Sequence, residues 1–193
     1  MWIAAQTDVY QVAGGRAESM HWPAARLVNR IAVGGGGEVY AASSDGLFRQ
    51  AAGSWSRVQA MDGVGRSWLE GQVLGVAFDV SNRLWFATLA GVGLRTVDGW
   101  RFFEGKDGLP WNEFTAMASG PAGEMWFGTR LGAIRFDGQT WAYRQGPRWL
   151  PDDAVRDLVV DSVGTAWFAT SNGVGRLARE PMTLARKALF YED

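Results

Sequence analysis

Met125-Trp126-Phe127-Gly128-Thr129 decides the fold, because it returns in altered form as Met1-Trp2-Ile3-Ala4, Val39-Tyr40-Ala41-Ala42, Leu84-Trp85-Phe86-Ala87-Thr88 and Ala166-Trp167-Phe168-Ala169-Thr170. The central aromatics lie 38, 45, 41 and 41 residues apart. Self-similarity at this period, carried by short apolar runs, is the mark of propeller blades.

Outward from Met125, the segment Phe114 to Arg144 reads as four strands. Phe114–Ala118 alternates, Ser119–Gly123 is a turn cluster, Glu124–Thr129 is a strand, Ala133–Phe136 is a third, Asp137-Gly138 is a hairpin signal and Thr140–Tyr143 is a fourth. Elsewhere the distances repeat. Val28 to Val39, Val73 to Leu84, Phe114 to Met125 and Val155 to Ala166 are each 11 residues apart, which fixes the length and register of the first hairpin. Gly46, Gly91, Gly132 and Gly173 each follow the central aromatic by six residues, where a turn needing positive φ is expected. Third strands fall at Val9–Val12, Leu47–Arg49, Val92–Arg95, Ala133–Phe136 and Val174–Leu177. Outer strands fall at Ser19–Trp22, Trp55–Val58, Trp100–Phe103 and Trp141–Tyr143, and the last blade has none.

The expectation is an all-β protein, a β-propeller of about five four-stranded antiparallel blades over residues 1–178. The blades lie near 1–22, 28–58, 73–103, 114–144 and 155–178, with both end blades incomplete. Entry on a second strand leaves two possibilities, an unconventional five-bladed ring or a segment of a larger propeller completed by another copy. Residues 179–193 switch period. Thr183 suits an N-cap, and Leu184, Lys187, Ala188 and Tyr191 share one helical face, so a short C-terminal helix is expected.

Composition narrows the function. Nineteen basic and 20 acidic residues nearly cancel and form no run, which leaves no electrostatic footprint for nucleic acid. Cysteine is absent, excluding disulfides and thiolate chemistry. No leader pattern is expected at the N-terminus, and no apolar run approaches the ~18 residues of a membrane span. The 26 Gly and 11 Trp suit tight turns between strands and large rigid surfaces between layers.

The run Gly108–Met117 followed by Gly123–Gly138 resembles the two-component regulator propeller repeat, whose pattern is Gly-Leu-Pro, Asn, alternating apolar residues, Gly, Leu-Trp-Phe-Gly-Thr, Gly-Leu, Arg-Tyr-Asp. The other blades match more loosely, with Tyr40 in place of Trp. The resemblance implies a sensor-type bacterial propeller in the periplasm or outside the cell, binding a small molecule, often glycan-derived, or a protein partner. It implies no catalytic residue, because the residues that define the motif are packing residues.

Candidate chemistry is sparse. His21, the single histidine, cannot furnish a metal cluster or a base with a second histidine to orient it, and neither metal nor cofactor is expected. Asp152-Asp153 and the pair Asp157 and Asp161 are the acidic pairs that a glycosidase would need, but Asp152-Asp153 follows Pro151 in a connection where turn formation explains it. Gly34–Gly37 lacks the Lys-Ser/Thr of a phosphate loop and reads as a hairpin turn. Asp137-Gly138-Gln139-Thr140-Trp141 approaches the Asp-box of sialidase-like propellers with its aspartate one position late.

The variable connections between blades carry the candidate binding residues. Trp68, Trp111 and Trp149 lie there beside polar groups, and the expected binding set is Trp68, Lys106, Trp111, Asn112, Arg148 and Trp149, with indole faces for stacking and polar groups for orientation. Wedging of each Trp between blade edges is the competing explanation. The expected function is a non-catalytic ligand- or partner-binding module. The alternatives are a carbohydrate-active lyase or hydrolase, or a propeller appended to one, and a structural chain that self-associates through unpaired end strands.

Overall fold

The structure, a computed structural model, describes residues 1–23 and 26–178. It consists of five antiparallel sheets, as expected of a propeller with incomplete end blades. The first holds β1 (Trp2–Ala5), β2 (Asp8–Ala13) and β3 (Arg16–Ser19). The second holds β4 (Val28–Val33), β5 (Val39–Ser43), β6 (Gly46–Ala51) and β7 (Ser54–Arg57). The third holds β8 (Val73–Phe78), β9 (Leu84–Thr88), β10 (Gly91–Thr96) and β11 (Gly99–Phe103). The fourth holds β12 (Phe114–Ser119), β13 (Met125–Thr129), β14 (Gly132–Phe136) and β15 (Trp141–Arg144), and the fifth β16 (Val155–Val160), β17 (Ala166–Thr170) and β18 (Gly173–Leu177). One 3-10 turn, Gly105–Asp107, interrupts the connection after β11. The helix expected over 183–193 lies outside the described residues.

Each sheet packs on the next in sequence order, with inner strand β4 beside β8, β8 beside β12 and β12 beside β16. The reason is legible in the cassettes. Every residue of β5, β9 and β13 is buried, because these strands lie mid-sheet with a neighbouring sheet on either face. The Trp of one cassette turns toward the Phe of the next: Trp85 lies 6.4 Å from Phe127 and Trp126 5.5 Å from Phe168, both edge-on. In β17 the burial alternates, since only one face of its sheet is covered. Trp167 is therefore 37% exposed at one end of the row, and Ile3, at the Phe position of the first cassette, is 42% exposed at the other.

Inner strands share a bulge. The register slips between Val28 and Arg30, Val73 and Gly75, Phe114 and Ala116, and Val155 and Asp157. The extra residue turns its side chain across to the next sheet where it is polar: Asn29 Nδ2 donates to the Val73 carbonyl at 2.7 Å, and Thr115 Oγ1 to that of Val155 at 2.8 Å. Arg30 spans further, donating to Asp157 on β16 at 2.9 Å.

The repeated glycine opens the third strand. Gly91 has φ 145 and Gly132 φ 134, and a Cβ on either would stand 2.2 Å from the Phe103 carbonyl oxygen or 2.4 Å from that of Arg144. The first sheet corrects one expectation. Its outer strand is Arg16–Ser19 rather than Ser19–Trp22, because Gly14 and Gly15, both at positive φ, close a two-residue hairpin and start the return strand early. Trp22 lies beyond the strand, buried against Phe48 and Trp55.

Candidate binding sites between the blades

An aspartate six residues before an indole organises three hairpin turns. Asp79 is fully buried and accepts from the backbone N–H groups of Ser81 and Arg83, from Arg83 Nε at 2.7 Å and from Trp85 Nε1 at 2.9 Å. Asp161 does the same for Val163, Thr165 and Trp167. Asp62, in the connection after β7, takes the backbone N–H groups of Val64 and Arg66, Arg66 Nε and Trp68 Nε1. Burial pushes the Asp62 carboxyl up, but these donors together outweigh it and hold the pKa at about 2. For Asp161 the Trp167 indole is the largest influence, and it lowers the pKa.

Two sheets depart from this plan. At the aspartate position the second sheet has Gly34 and the fourth Gly120, and two residues before the central aromatic they carry Glu38 and Glu124. The glutamate folds back into the space that the aspartate would fill: a Cβ at Gly120 would lie 2.2 Å from Glu124 Oε1, and one at Gly34 2.7 Å from Glu38 Oε2. The substitution is imperfect. Glu124 accepts the Ala122 N–H, while Trp126 Nε1 and Glu38 Oε2 are buried with no hydrogen-bond partner among the described residues. An orphaned buried polar group costs about 1–3 kcal/mol.

Both departures border open clefts. Between the second and third sheets, Glu38, Tyr40, Arg49, Arg83 and Arg95 line a cleft of about 420 Å³. Between the fourth and fifth, Glu124, Trp126, Arg135, Arg144, Trp149 and Leu177 line one of about 310 Å³. In the second cleft Arg144 lies over the Trp149 ring, 4.6 Å from its centroid, and Arg148 lies over it at 5.3 Å. Arg135 is 3.9 Å from Asp137, too far for a hydrogen bond, and Arg144 donates to the Tyr143 carbonyl.

The residues singled out in the connections fall into separate groups. Trp68 is buried, stacked on Phe102 with centroids 4.4 Å apart, and Arg66 covers its ring. Arg66 also bonds Glu104, which in turn holds Lys106 at 2.8 Å. Trp111 is 38% exposed, and Asn112 beside it donates to the Leu89 carbonyl. Trp149 lines the cleft between the fourth and fifth sheets, and Arg148 lies over its ring. Reading the connections alone missed Glu124, Arg135, Arg144 and Trp126, which sit on or beside strands. The signal was present: Gly120 breaks the aspartate pattern of Asp79 and Asp161.

The acidic pairs are engaged with the chain itself. Asp152 accepts the Ala154 N–H, Asp153 that of Gly146, and Asp157 the guanidinium of Arg30. Asp137 caps its hairpin, taking the backbone N–H groups of Thr140 and Gln139 and the Thr140 hydroxyl, which bring its pKa down to about 2. His21 is exposed, at φ 51. Among the described residues no three His, Asp or Glu side chains are grouped to hold a metal ion.

No family model matches the chain. No curated protein matches it either. Solved structures do, at identities that speak to the fold alone. An extracellular domain ascribed to the hybrid two-component system BT3049 of B. thetaiotaomicron matches with TM-score 0.70 and 20% identity, over 91% of this chain and 25% of that one. Virginiamycin B lyase from Staphylococcus aureus matches with TM-score 0.66 and 14% identity, over 91% and 61%. YCF48 bound to D1 peptide matches with TM-score 0.65 and 16% identity, over 93% and 60%. The chain thus spans a quarter to three fifths of the length of these structures. Its fold is that of a β-propeller module, as the repeats led us to expect. No helix among the described residues is long and apolar enough to cross a membrane.

Proposed function

We propose that this chain is a binding module, sensor-like and extracytoplasmic, which recognises a small molecule or a protein partner and performs no chemistry of its own. The observation that carries this reading is the cleft between the fourth and fifth sheets, where an aromatic face and two guanidiniums meet an open space. The acidic pairs that catalysis would need are occupied in holding turns and strands together. Trp149 and Arg148 form the binding surface, Trp111, Asn112 and Lys106 extend it along the neighbouring connections, and Trp68 acts by supporting Arg66. The similarity to an extracellular domain of a two-component system and to YCF48 bound to D1 peptide supports the same reading.

The test is a comparison of wild type with Trp149→Ala on glycan and peptide arrays. Wild type is expected to retain ligands that the variant binds at least tenfold more weakly. Equal retention by the two proteins, or none by wild type on either array, sinks the proposal.

A further inference from the structure

We infer that the cleft between the fourth and fifth sheets is built for a small ring-bearing carboxylate. This rests on the binding-module reading and names the ligand class for that site. Three features point the same way. Arg135 and Arg144 both line the cleft: Arg135 has Asp137 at 3.9 Å, an ion pair too long for a hydrogen bond, Arg144 donates to the Tyr143 carbonyl, and Glu124 is the one acid among the described residues on the walls. A carboxylate between them gains charge-assisted bonds from both, which a neutral group does not. Trp149 adds an aromatic wall that holds Arg144 over its ring at the edge of the space, and a volume of about 310 Å³ suits one ring with its substituents.

The third feature is the floor. Trp126 has a buried indole N–H that lacks the acceptor its counterparts Trp85 and Trp167 find in Asp79 and Asp161. Glu124 is the acidic group beside it and can accept a hydroxyl or ring N–H of the ligand. The sister cleft between the second and third sheets differs in that, among the described residues, no tryptophan stands on its walls and one of its three cations, Arg83, is held by Asp79 at 2.7 Å.

The 193-residue chain, labelled with nitrogen-15, is titrated with benzoate and D-glucuronate and, as neutral counterparts, benzamide and D-glucose, while the 11 tryptophan indole resonances are followed. Trp126→Phe and Trp149→Phe assign the two signals of interest. At least one acid is expected to shift both signals saturably, at least tenfold more tightly than its neutral counterpart, and to weaken as salt rises. The stronger acid identifies the source as aromatic or saccharide. Arg135→Gln and Arg144→Gln should each weaken it about tenfold, and the wild-type salt dependence reports on the same point should either variant misfold. Neutral rings that shift Trp126 and Trp149 as strongly as the acids overturn the carboxylate assignment and leave the binding-module reading in place. Failure of all four probes to move these signals overturns it as well, whereas the array comparison with Trp149→Ala judges the broader reading independently.

Discussion

A single carboxylate decides how each turn is built. Asp79 gathers four donors, so Asp79→Ala leaves the Trp85 indole, two backbone N–H groups and Arg83 without their acceptor, and a loss of about 3 kcal/mol is expected in urea denaturation. Gly120 poses the converse case. Gly120→Asp alone drives its new carboxylate into Glu124 and should destabilise the protein by about 1–3 kcal/mol, while Gly120→Asp with Glu124→Thr copies the Asp161 and Thr165 arrangement and should recover that loss by pairing Trp126. A double variant no more stable than the single one would show that the two positions are not alternatives. The pH response follows from the same groups. Asp62 and Asp137 have folded pKa values of about 2, below the ordinary carboxylate value near 4. Their contribution is complete above that ordinary value and is lost as pH falls through 4 toward 2, so urea midpoints should drop across this window and Asp137→Asn should flatten the drop.

At the level of strands, the recurring glycine separates what is local from what needs a neighbour. Gly132 combines positive φ with the Arg144 carbonyl of the adjacent outer strand, whereas at Gly173 the nearest atoms to an added Cβ belong to Pro151 at 3.9 Å. Gly132→Ala should therefore cost about 3 kcal/mol and Gly173→Ala about 1 kcal/mol, measured as a difference in denaturation midpoint. Most of this layer was legible in the residues. The 11-residue spacing of the first hairpins and the six-residue step to the glycine fix strand order and register before any coordinates. What escaped was the outer strand of the first sheet, set by the tight Gly14-Gly15 turn, and the inner-strand bulges, which no apolar pattern reveals because Asn29, Leu74, Thr115 and Arg156 share no chemistry. The candidate site was legible only in part. Position in a variable connection is shared by Trp149, which lines the cleft, and by Trp68, whose Asp62, Arg66 and Trp68 spacing repeats that of Asp79, Arg83 and Trp85 and sets it in a turn.

Over the whole molecule, stability is expected to be graded rather than uniform, because each sheet leans on its neighbours and, among the described residues, those at the ends have one instead of two. Hydrogen exchange should be slowest in β9 and β13, buried on both faces, and faster in β1 and in β17, where Trp167 and Ala169 are exposed. Equal protection in all five sheets would mean that the end faces are covered in solution. The Arg30 to Asp157 ion pair joins the second sheet to the fifth, but as an exposed pair it adds no more than about 1 kcal/mol and does not alter the gradient.

The alternation of turn carboxylates sets where the clefts fall. Asp79 and Asp161 are 82 residues apart, and between and before them stand the glycine-glutamate versions at Gly34 and Glu38 and at Gly120 and Glu124. Packing repeats with every sheet from the second to the fifth, whereas this turn chemistry repeats with every second one, so each cleft is bordered by a glycine-glutamate turn on one sheet and by a sheet with an aspartate turn on the other.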